Sequence, residues 1–263
     1  MNKLKDKSVF LLDMDGTIYL GDKLIDGALE FLKKIKSINK KYIFLTNNSS
    51  KNKLSYVEKL NNLGINASLD DIFTSGEATT IYLKNKLPNG KVFLLGTKEL
   101  EDEFINEGFE IVKERNKDVD FVVLGFDTTL TYEKLWIACE YISEGVDYIA
   151  THPDFNCPLP EGKFMPDAGA MAAFMEASTE ITPKVIGKPN KEMVNVLLEK
   201  YSVNFEDVVM VGDRLYTDIK MGEVSNISTV LVYSGETTRQ MYKNSKIQAD
   251  WEFDSVKDMI NII

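Results

Sequence analysis

The sequence predicts an α/β protein, a doubly wound parallel-sheet core with a smaller α/β domain inserted into it. Three observations predict this. Short apolar runs recur along the chain, each stopping at a polar or glycine loop and followed by an amphipathic stretch of helical length, the βαβ rhythm. The runs lack polar alternation, which marks strands buried on both faces of a parallel sheet. Four of them end in loops rich in acids, amides, lysine or glycine, and the spacing of those loops leaves a domain-sized surplus in the middle of the chain.

Taken in order, Val9 to Leu12 is the first strand and ends in Asp13-Met14-Asp15-Gly16-Thr17. Ala28, Leu29, Phe31, Leu32 and Ile35 repeat at three- and four-residue spacing, a core-facing helix. Tyr42 to Leu45 is the second strand and ends in Thr46-Asn47-Asn48. Val92 to Leu95, Phe121 to Leu124 and Tyr148 to Ala150 are three more, with a helical pattern from Leu135 to Ile142 between the last two. Lys184 to Ile186 leads into Gly187-Lys188-Pro189-Asn190, and Met193, Val194, Val196, Leu197 and Leu198 form the next helix. Val208 to Val211 runs into Gly212-Asp213-Arg214-Leu215-Tyr216-Thr217-Asp218, and Thr229 to Tyr233 is the last strand. Asp13 to Thr46 is 33 residues and Lys188 to Asp213 is 25, each about one strand–helix unit, whereas Thr46 to Lys188 is 142. The expected division is therefore residues 1–82 and 183–263 as the core and 83–182 as the insert. Pro153, Pro158, Pro160 and Pro166 fall close together in the insert, which predicts a stiff loop there.

Composition sets limits on function. With 263 residues, 44% hydrophobic and 27% charged, the chain has ample material for a core and is not disordered. A formal charge of -10 argues against nucleic acid or an anionic membrane as a partner. The apolar runs are far shorter than the roughly 20 residues that span a bilayer. The N-terminal segment Met1 to Lys7 is basic, but the apolar run after it meets Asp13 and Asp15 without a small-residue cleavage site, so a cytoplasmic location is expected. Cys139 and Cys157 form neither a disulfide framework nor a zinc motif, and Cys139 reads as a small buried hydrophobe.

The strand-end residues carry the chemistry, because open α/β sheets bind ligands outside the C-terminal ends of their strands. Asp13, Asp15, Asp213 and Asp218 cannot share that space with a phosphoryl group unaided, since unit charges about 4 Å apart repel by roughly 4 kcal/mol at an effective dielectric of 20. A hard divalent cation resolves the conflict, and an all-oxygen ligand set points to Mg²⁺. With the cation in place, one aspartate can attack phosphorus while its neighbour Asp15 protonates the leaving oxygen and then deprotonates a water. Lys188, the Thr46 hydroxyl, the Asn47 amide and the backbone N–H groups of the turn through Met14, Asp15 and Gly16 are candidate phosphate ligands, Gly16 because it lets the backbone come close.

These motifs resemble those of the haloacid dehalogenase (HAD) superfamily, subclass IIA, the NagD-like or 4-nitrophenyl-phosphatase-like phosphatases. Asp13-Met14-Asp15-Gly16-Thr17 is similar to the family's first motif, Leu45-Thr46-Asn47-Asn48-Ser49 to its second, Lys188 in Gly187-Lys188-Pro189 to its third, and Gly212-Asp213 with Asp218 to its fourth. The resemblance implies a Rossmann-like core with an α/β cap that chooses substrates. It implies Asp13 as nucleophile, Asp15 as acid/base, and Mg²⁺ held by Asp13, the Asp15 backbone carbonyl and Asp213 with support from Asp218. Thr46 and Lys188 would hold phosphate. It makes a small phosphorylated metabolite the expected partner, and caps of this type often contribute to a homodimer. In the cap, Thr151-His152-Pro153-Asp154 and Pro166-Asp167 stand where substrate is chosen, so His152, Asp154 and Asp167 are specificity candidates, His152 replacing an Asn common in relatives.

Blander readings stand beside these. A strand-terminal Asp-x-Asp alone can be two solvated acids, and Lys188 alone a surface charge. His152 is more often a packing residue than a substrate contact, and Tyr148, Phe155 and Phe164 read as cap core rather than pocket lining. Two other functions remain open, a phospho-accepting receiver-like signalling module and a non-catalytic phosphometabolite sensor.

Overall fold

A computed structural model describes residues 3–263; Met1 and Asn2, which begin both the basic N-terminal segment and the first domain range, lie outside the described residues. Two compact units are present. One comprises the chain up to Thr46 with Lys53–Phe73 and Lys188–Ile263, and the other Asn47–Asn52 with Thr74–Gly187.

Along the chain, β1 (Val9–Leu12) is followed by the short pair β2 (Tyr19–Leu20) and β3 (Lys23–Leu24), then α1 (Ala28–Ser37) and β4 (Lys41–Thr46). α1 buries Ala28, Phe31, Leu32 and Ile35, the stripe expected from its spacing. Next come α2 (Lys53–Asn62), β5 (Ile72–Thr74), α3 (Ser75–Lys86), β6 (Lys91–Leu95), α4 (Lys98–Asn106) and β7 (Glu110–Val112). β8 (Phe121–Leu124), α5 (Tyr132–Ser143), β9 (Asp147–Ala150), β10 (Asn156–Pro158), β11 (Phe164–Pro166), α6 (Ala168–Thr179) and β12 (Lys184–Val185) complete the second unit. The chain then returns through α7 (Lys191–Tyr201), β13 (Val208–Gly212), α8 (Lys220–Ser225), β14 (Ser228–Val232), α9 (Arg239–Asn244) and β15 (Trp251–Phe253).

The first unit is built on a six-stranded sheet in the order β15-β14-β13-β1-β4-β5. Numbered along the chain, this is the doubly wound order 3-2-1-4-5-6, with the winding reversing at β1. β1 pairs in parallel with β13 and β4, placing Leu12 opposite both Val211 and Phe44, so the three strands end close together, β13 one residue and β4 two residues beyond β1. All four residues of β1 are buried, and Phe10 and Leu12 share a core with Phe31, Ile35, Phe44, Val209, Val211 and Val230.

The second unit has a five-stranded sheet, β12-β9-β8-β6-β7, whose β6–β8, β6–β7, β8–β9 and β9–β12 pairings are parallel. Phe93, Leu95, Val122 and Leu124 pack there with Ile137, Tyr141 and Ile142 of α5 and Met175 of α6. The boundary expected at 82/83 falls inside α3, which belongs whole to this unit with Leu83 buried.

Three local expectations need correction. The proline-rich window is a two-stranded antiparallel ribbon, with Asn156 opposite Pro166 and Pro158 opposite Phe164. Proline is tolerated there because a two-stranded ribbon leaves outward N–H positions that need no partner. Tyr148 is core, but Phe155 and Phe164 on and beside the ribbon are 61% and 63% exposed and are not. Cys139, on α5, is half-buried and packs against the core of the second unit instead of inside it. Among the described residues no helix is long and apolar enough to cross a membrane.

Candidate active site

Because β1, β4 and β13 are parallel and end within two residues of one another, the residues just past them meet at one sheet edge. Asp13 N–H extends the ladder by donating to Val211 O at 2.9 Å. The chain then folds over Met14, whose carbonyl accepts from Thr17, Ile18 and Tyr19 N–H, while Gly16 N–H donates to Tyr19 O at 2.7 Å. Gly16 has φ +87°, and a Cβ there would lie 2.4 Å from Asp213 Oδ2. The close approach that requires glycine is thus to the Asp213 carboxylate. The other walls are built the same way: a Cβ on Gly212 would lie 2.3 Å from Asp218 Cγ, and one on Gly235 2.0 Å from Asp213 Oδ2.

Carboxylate oxygens of Asp13, Asp213 and Asp218 lie within 4.8 Å of one another. Lys188 Nζ, itself only 3% exposed, donates to Asp13 Oδ1 at 2.5 Å, to Asp218 Oδ1 at 2.8 Å and to Leu45 O at 3.4 Å. Asp218 Oδ2 accepts from Arg214 N–H at 3.1 Å, where the chain makes a π-helical turn over Leu215–Ile219. Asp213 Oδ2 accepts from Glu236 N–H at 2.6 Å, but its buried Oδ1 has no hydrogen-bond partner among the described residues. A buried carboxylate oxygen without a donor is costly unless a cation supplies the missing interaction. With an oxygen-only donor set, the three acids therefore fit a hard divalent cation. The Asp15 carboxylate is not one of the three.

Titration follows from this crowding. Burial is the largest influence on Asp213, and with repulsion from Asp13 and Asp218 it pushes the carboxyl up to about 8. Burial also raises Asp13, to about 6, with Asp218 adding and Lys188 and Arg214 opposing. Burial alone would lower the Lys188 ammonium, but Asp13 and Asp218 outweigh it and hold the group above its ordinary value. Asp15 is raised by burial against the opposing charges of Lys59 and Arg214.

Of the residues singled out from sequence, Asp13, Met14, Asp15, Gly16, Thr46, Lys188, Asp213 and Asp218 belong to the first unit, with Thr46 buried at the end of β4. Asn47, His152, Asp154 and Asp167 belong to the second. There the Asn47 amide donates to Asp154 Oδ2 at 3.2 Å, and Ser75 Oγ fixes the Asn47 carbonyl at 2.5 Å. His152 is fully buried between Thr151 Oγ1 at 2.8 Å and Asp167 Oδ1 at 2.9 Å. Sequence reasoning missed the wall beyond β14. Gly235 and Glu236 sit there against Asp213, and Glu236 also meets Arg214 Nε at 3.1 Å and Tyr216 OH at 3.2 Å. The signal was available, since Ser234-Gly235-Glu236-Thr237 is a glycine loop directly after an apolar run.

A haloacid dehalogenase-like hydrolase model matches residues 10–110, and a HAD-hydrolase-like model matches residues 185–259. An acid sugar phosphatase of Staphylococcus saprophyticus is 34% identical over 257 residues, covering 98% of each chain. The crystal structure of a 4-nitrophenylphosphatase from Thermotoga maritima superposes with a TM-score of 0.94 at 45% identity, covering 99% of each chain. A p-nitrophenyl phosphatase from Archaeoglobus fulgidus gives 0.92 at 31% identity, covering 98% of this chain and 100% of that one. The chain belongs to the haloacid dehalogenase superfamily of hydrolases. Within it the chain is of the NagD-like, 4-nitrophenylphosphatase-like kind, and it is a phosphatase.

Proposed function

We propose that the protein is a Mg²⁺-dependent phosphatase of small phosphomonoesters, such as sugar phosphates or nucleotides, working through an aspartyl phosphate on Asp13. The observation that carries this reading is the placement of the Asp13 carboxylate. It stands at the end of the central strand, aimed by Lys188 at 2.5 Å and grouped with Asp213 and Asp218. Mg²⁺ would be held by the carboxylates of Asp13, Asp213 and Asp218 and by the Asp15 carbonyl, and when bound it would neutralise these acids and draw charge from the phosphoryl oxygens.

The protein's own groups do the rest. With a value near 6, Asp13 is ionised at neutral pH and can form a bond to phosphorus as the ester P–O bond breaks. Lys188 and the Thr46 hydroxyl hold non-bridging oxygens, helped by the Asn47 amide and the turn N–H groups of Met14 to Gly16. Asp15, raised by burial, is suited to carry the proton given to the leaving oxygen. It then takes a proton from the water that attacks phosphorus, which releases inorganic phosphate and restores the Asp13 carboxylate.

We assign substrate choice to the second unit, with Asp154 as a contact and His152 and Asp167 as supports for it. The acid sugar phosphatase relatives make sugar phosphates the first class to try. A cytoplasmic location and a homodimeric assembly belong to the same reading. A receiver-like module or a sensor would not need an acid/base beside the nucleophile.

The test is phosphate release from a panel of phosphomonoesters, with and without Mg²⁺. Asp13→Asn should abolish metal-dependent release while leaving the circular-dichroism spectrum unchanged, and undiminished release would remove Asp13 as nucleophile. Asp15→Asn should slow alkyl phosphates more than nitrophenyl phosphate, because nitrophenolate leaves without a proton. Equal losses would count against the acid role.

A further inference from the structure

Two short segments of the first unit hold acids of the site through backbone N–H groups. The strap 234–237, just past β14, lies against Asp213 and the first motif. Glu236 N–H donates to Asp213 Oδ2 at 2.6 Å, Thr237 N–H to Asp213 O at 3.2 Å, and Ser234 Oγ to Gly16 O at 2.7 Å. The π-helical turn Leu215–Ile219 serves Asp218 in the same way. Arg214, which precedes that turn, donates its N–H to Asp218 Oδ2 at 3.1 Å, and its carbonyl accepts from Asp218 N–H at 3.0 Å and Ile219 N–H at 3.2 Å. In each acid one oxygen is thereby fixed by the backbone of a neighbouring loop.

Neither segment is stiffened by an ordinary ladder of hydrogen bonds. Glycine at 235 is required by the close approach to Asp213, and it leaves the strap a wide choice of backbone angles. A π-turn is a rare interruption of helical bonding. One carboxylate oxygen ties the two segments together: Glu236 Oε2 lies 3.1 Å from Arg214 Nε and accepts from Tyr216 OH at 3.2 Å. The paired Arg214 and Glu236 side chains keep only 19% and 38% exposure, so solvent screens them less than an ion pair on an open surface. The two residues that pair through their side chains are thus the same two whose N–H groups hold Asp218 and Asp213.

We propose that Glu236 and Arg214 are positioning residues for the divalent cation: their side-chain pair, supported by Tyr216, locks the two N–H donors at one separation and so sets the affinity of the three-acid site. Neither residue is a ligand; both act through Asp213 and Asp218. This inference rests on the reading of those acids as a Mg²⁺ site. It differs from what charge alone would do. Loss of the Glu236 charge weakens cation binding by either route. The Arg214 cation, however, is felt by Asp13, Asp15, Asp213 and Asp218, so its removal would strengthen cation binding if charge alone governed and weakens it if the brace governs.

The experiment titrates the full-length, metal-free protein with Mn²⁺, a paramagnetic cation suited to the same oxygen ligands, and reads free Mn²⁺ by electron paramagnetic resonance with Mg²⁺ as competitor. Glu236→Gln and Arg214→Met should each weaken binding about tenfold, the low end of the roughly 10–100-fold loss that follows removal of a metal ligand's partner. The double variant should be little worse than either single one, because the pair can be lost only once. Tyr216→Phe changes no charge, alters an exposed side chain and should weaken binding by less, in the same direction. In every variant excess Mg²⁺ should return phosphate release toward the wild-type rate, with substrate KM at saturating metal unchanged. Glu223→Gln, which removes a carboxylate of α8 paired with Lys220, should bind Mn²⁺ as wild type does. All of these variants should keep the wild-type circular-dichroism spectrum. Tighter binding in Arg214→Met, additive losses in the double variant, or wild-type affinity in both Tyr216→Phe and Glu236→Gln would overturn the brace and leave the Mg²⁺ reading standing. Wild-type protein that binds no Mn²⁺ would overturn that reading, and the brace with it.

Discussion

Asp213 carries an unusual load for one side chain. One oxygen is held by Glu236 N–H and the other is buried without a partner among the described residues, while Gly16 and Gly235 approach too closely for any side chain to intervene. Their lack of a Cβ is therefore a property of the carboxylate's position as much as of the turns. Gly235→Ala should displace Asp213 and lower kcat on the order of 10²-fold, as misplacements near 1 Å do in preorganised sites, with a weaker apparent Mg²⁺ affinity. Wild-type kinetics in that variant would show that Asp213 is not held where the account needs it. Lys188→Met should act on stability as well as on turnover. It removes the cation shared by Asp13 and Asp218, and stripping one partner from a buried charge pair typically costs about 3–5 kcal/mol. Thermal unfolding of the metal-free variant measures that loss, and an unchanged transition would contradict it.

Elements differ in how far the sequence reveals them. The strands at the centres of both sheets are continuous apolar runs, so β1, β4, β6, β8 and β13 were legible from the run pattern, as were the stripes of α1 and α7 from their spacing. β7 and β15 were not, because three-residue edge strands with exposed positions carry no such run, and β5, although buried, is equally short. Three of the four strand-end motifs were legible because they follow the long runs β1, β4 and β13, whereas the Lys188 motif follows only the two-residue β12 and was read from its Gly-Lys-Pro sequence and spacing. The surroundings of His152 were not, since they depend on contacts with residues far away in sequence. Asp167 caps α6 by accepting from Ala168 N–H at 2.6 Å on the same oxygen that meets His152 Nε2, and His152 Nδ1 shares a hydrogen bond with the Thr151 hydroxyl. Ser49 Oγ, 2.9 Å from Thr151 Oγ1, extends the chain to the second motif. Asp167→Ala should thus cost more than the typical ~1 kcal/mol of a lost cap, because it also takes the partner from the buried His152 Nε2 at about 1–3 kcal/mol. Asp167→Asn, which can still make both bonds, should recover much of that stability in thermal unfolding. Equal losses for the two variants would contradict the shared-oxygen arrangement.

At the scale of the whole molecule, an acidic chain places three carboxylates at the reversal point of its first sheet, and pH and cation become linked through them. Asp13 at about 6 and Asp213 at about 8 both lie above the ~3.9 of an unfolded aspartate. Between those limits the folded protein binds more protons than the unfolded chain, so their contribution is greatest at low pH and is lost as pH rises through the folded values. The metal-free protein should therefore lose thermal stability between about pH 5 and pH 8 at this site. Mg²⁺ binds the ionised acids in competition with protons and should raise the unfolding temperature more at the higher pH. A metal effect that shrinks as pH rises would contradict the linkage.

The central claim is that Asp13 becomes phosphorylated during turnover. Wild-type protein mixed with Mg²⁺ and a phosphomonoester, quenched in acid within one turnover and digested, should yield a phosphate adduct on the peptide containing Asp13. The adduct should be absent from Asp13→Asn and should disappear as substrate is exhausted. Rapid substrate hydrolysis with no adduct at any quench time, or an adduct mapped to another residue, would contradict the account.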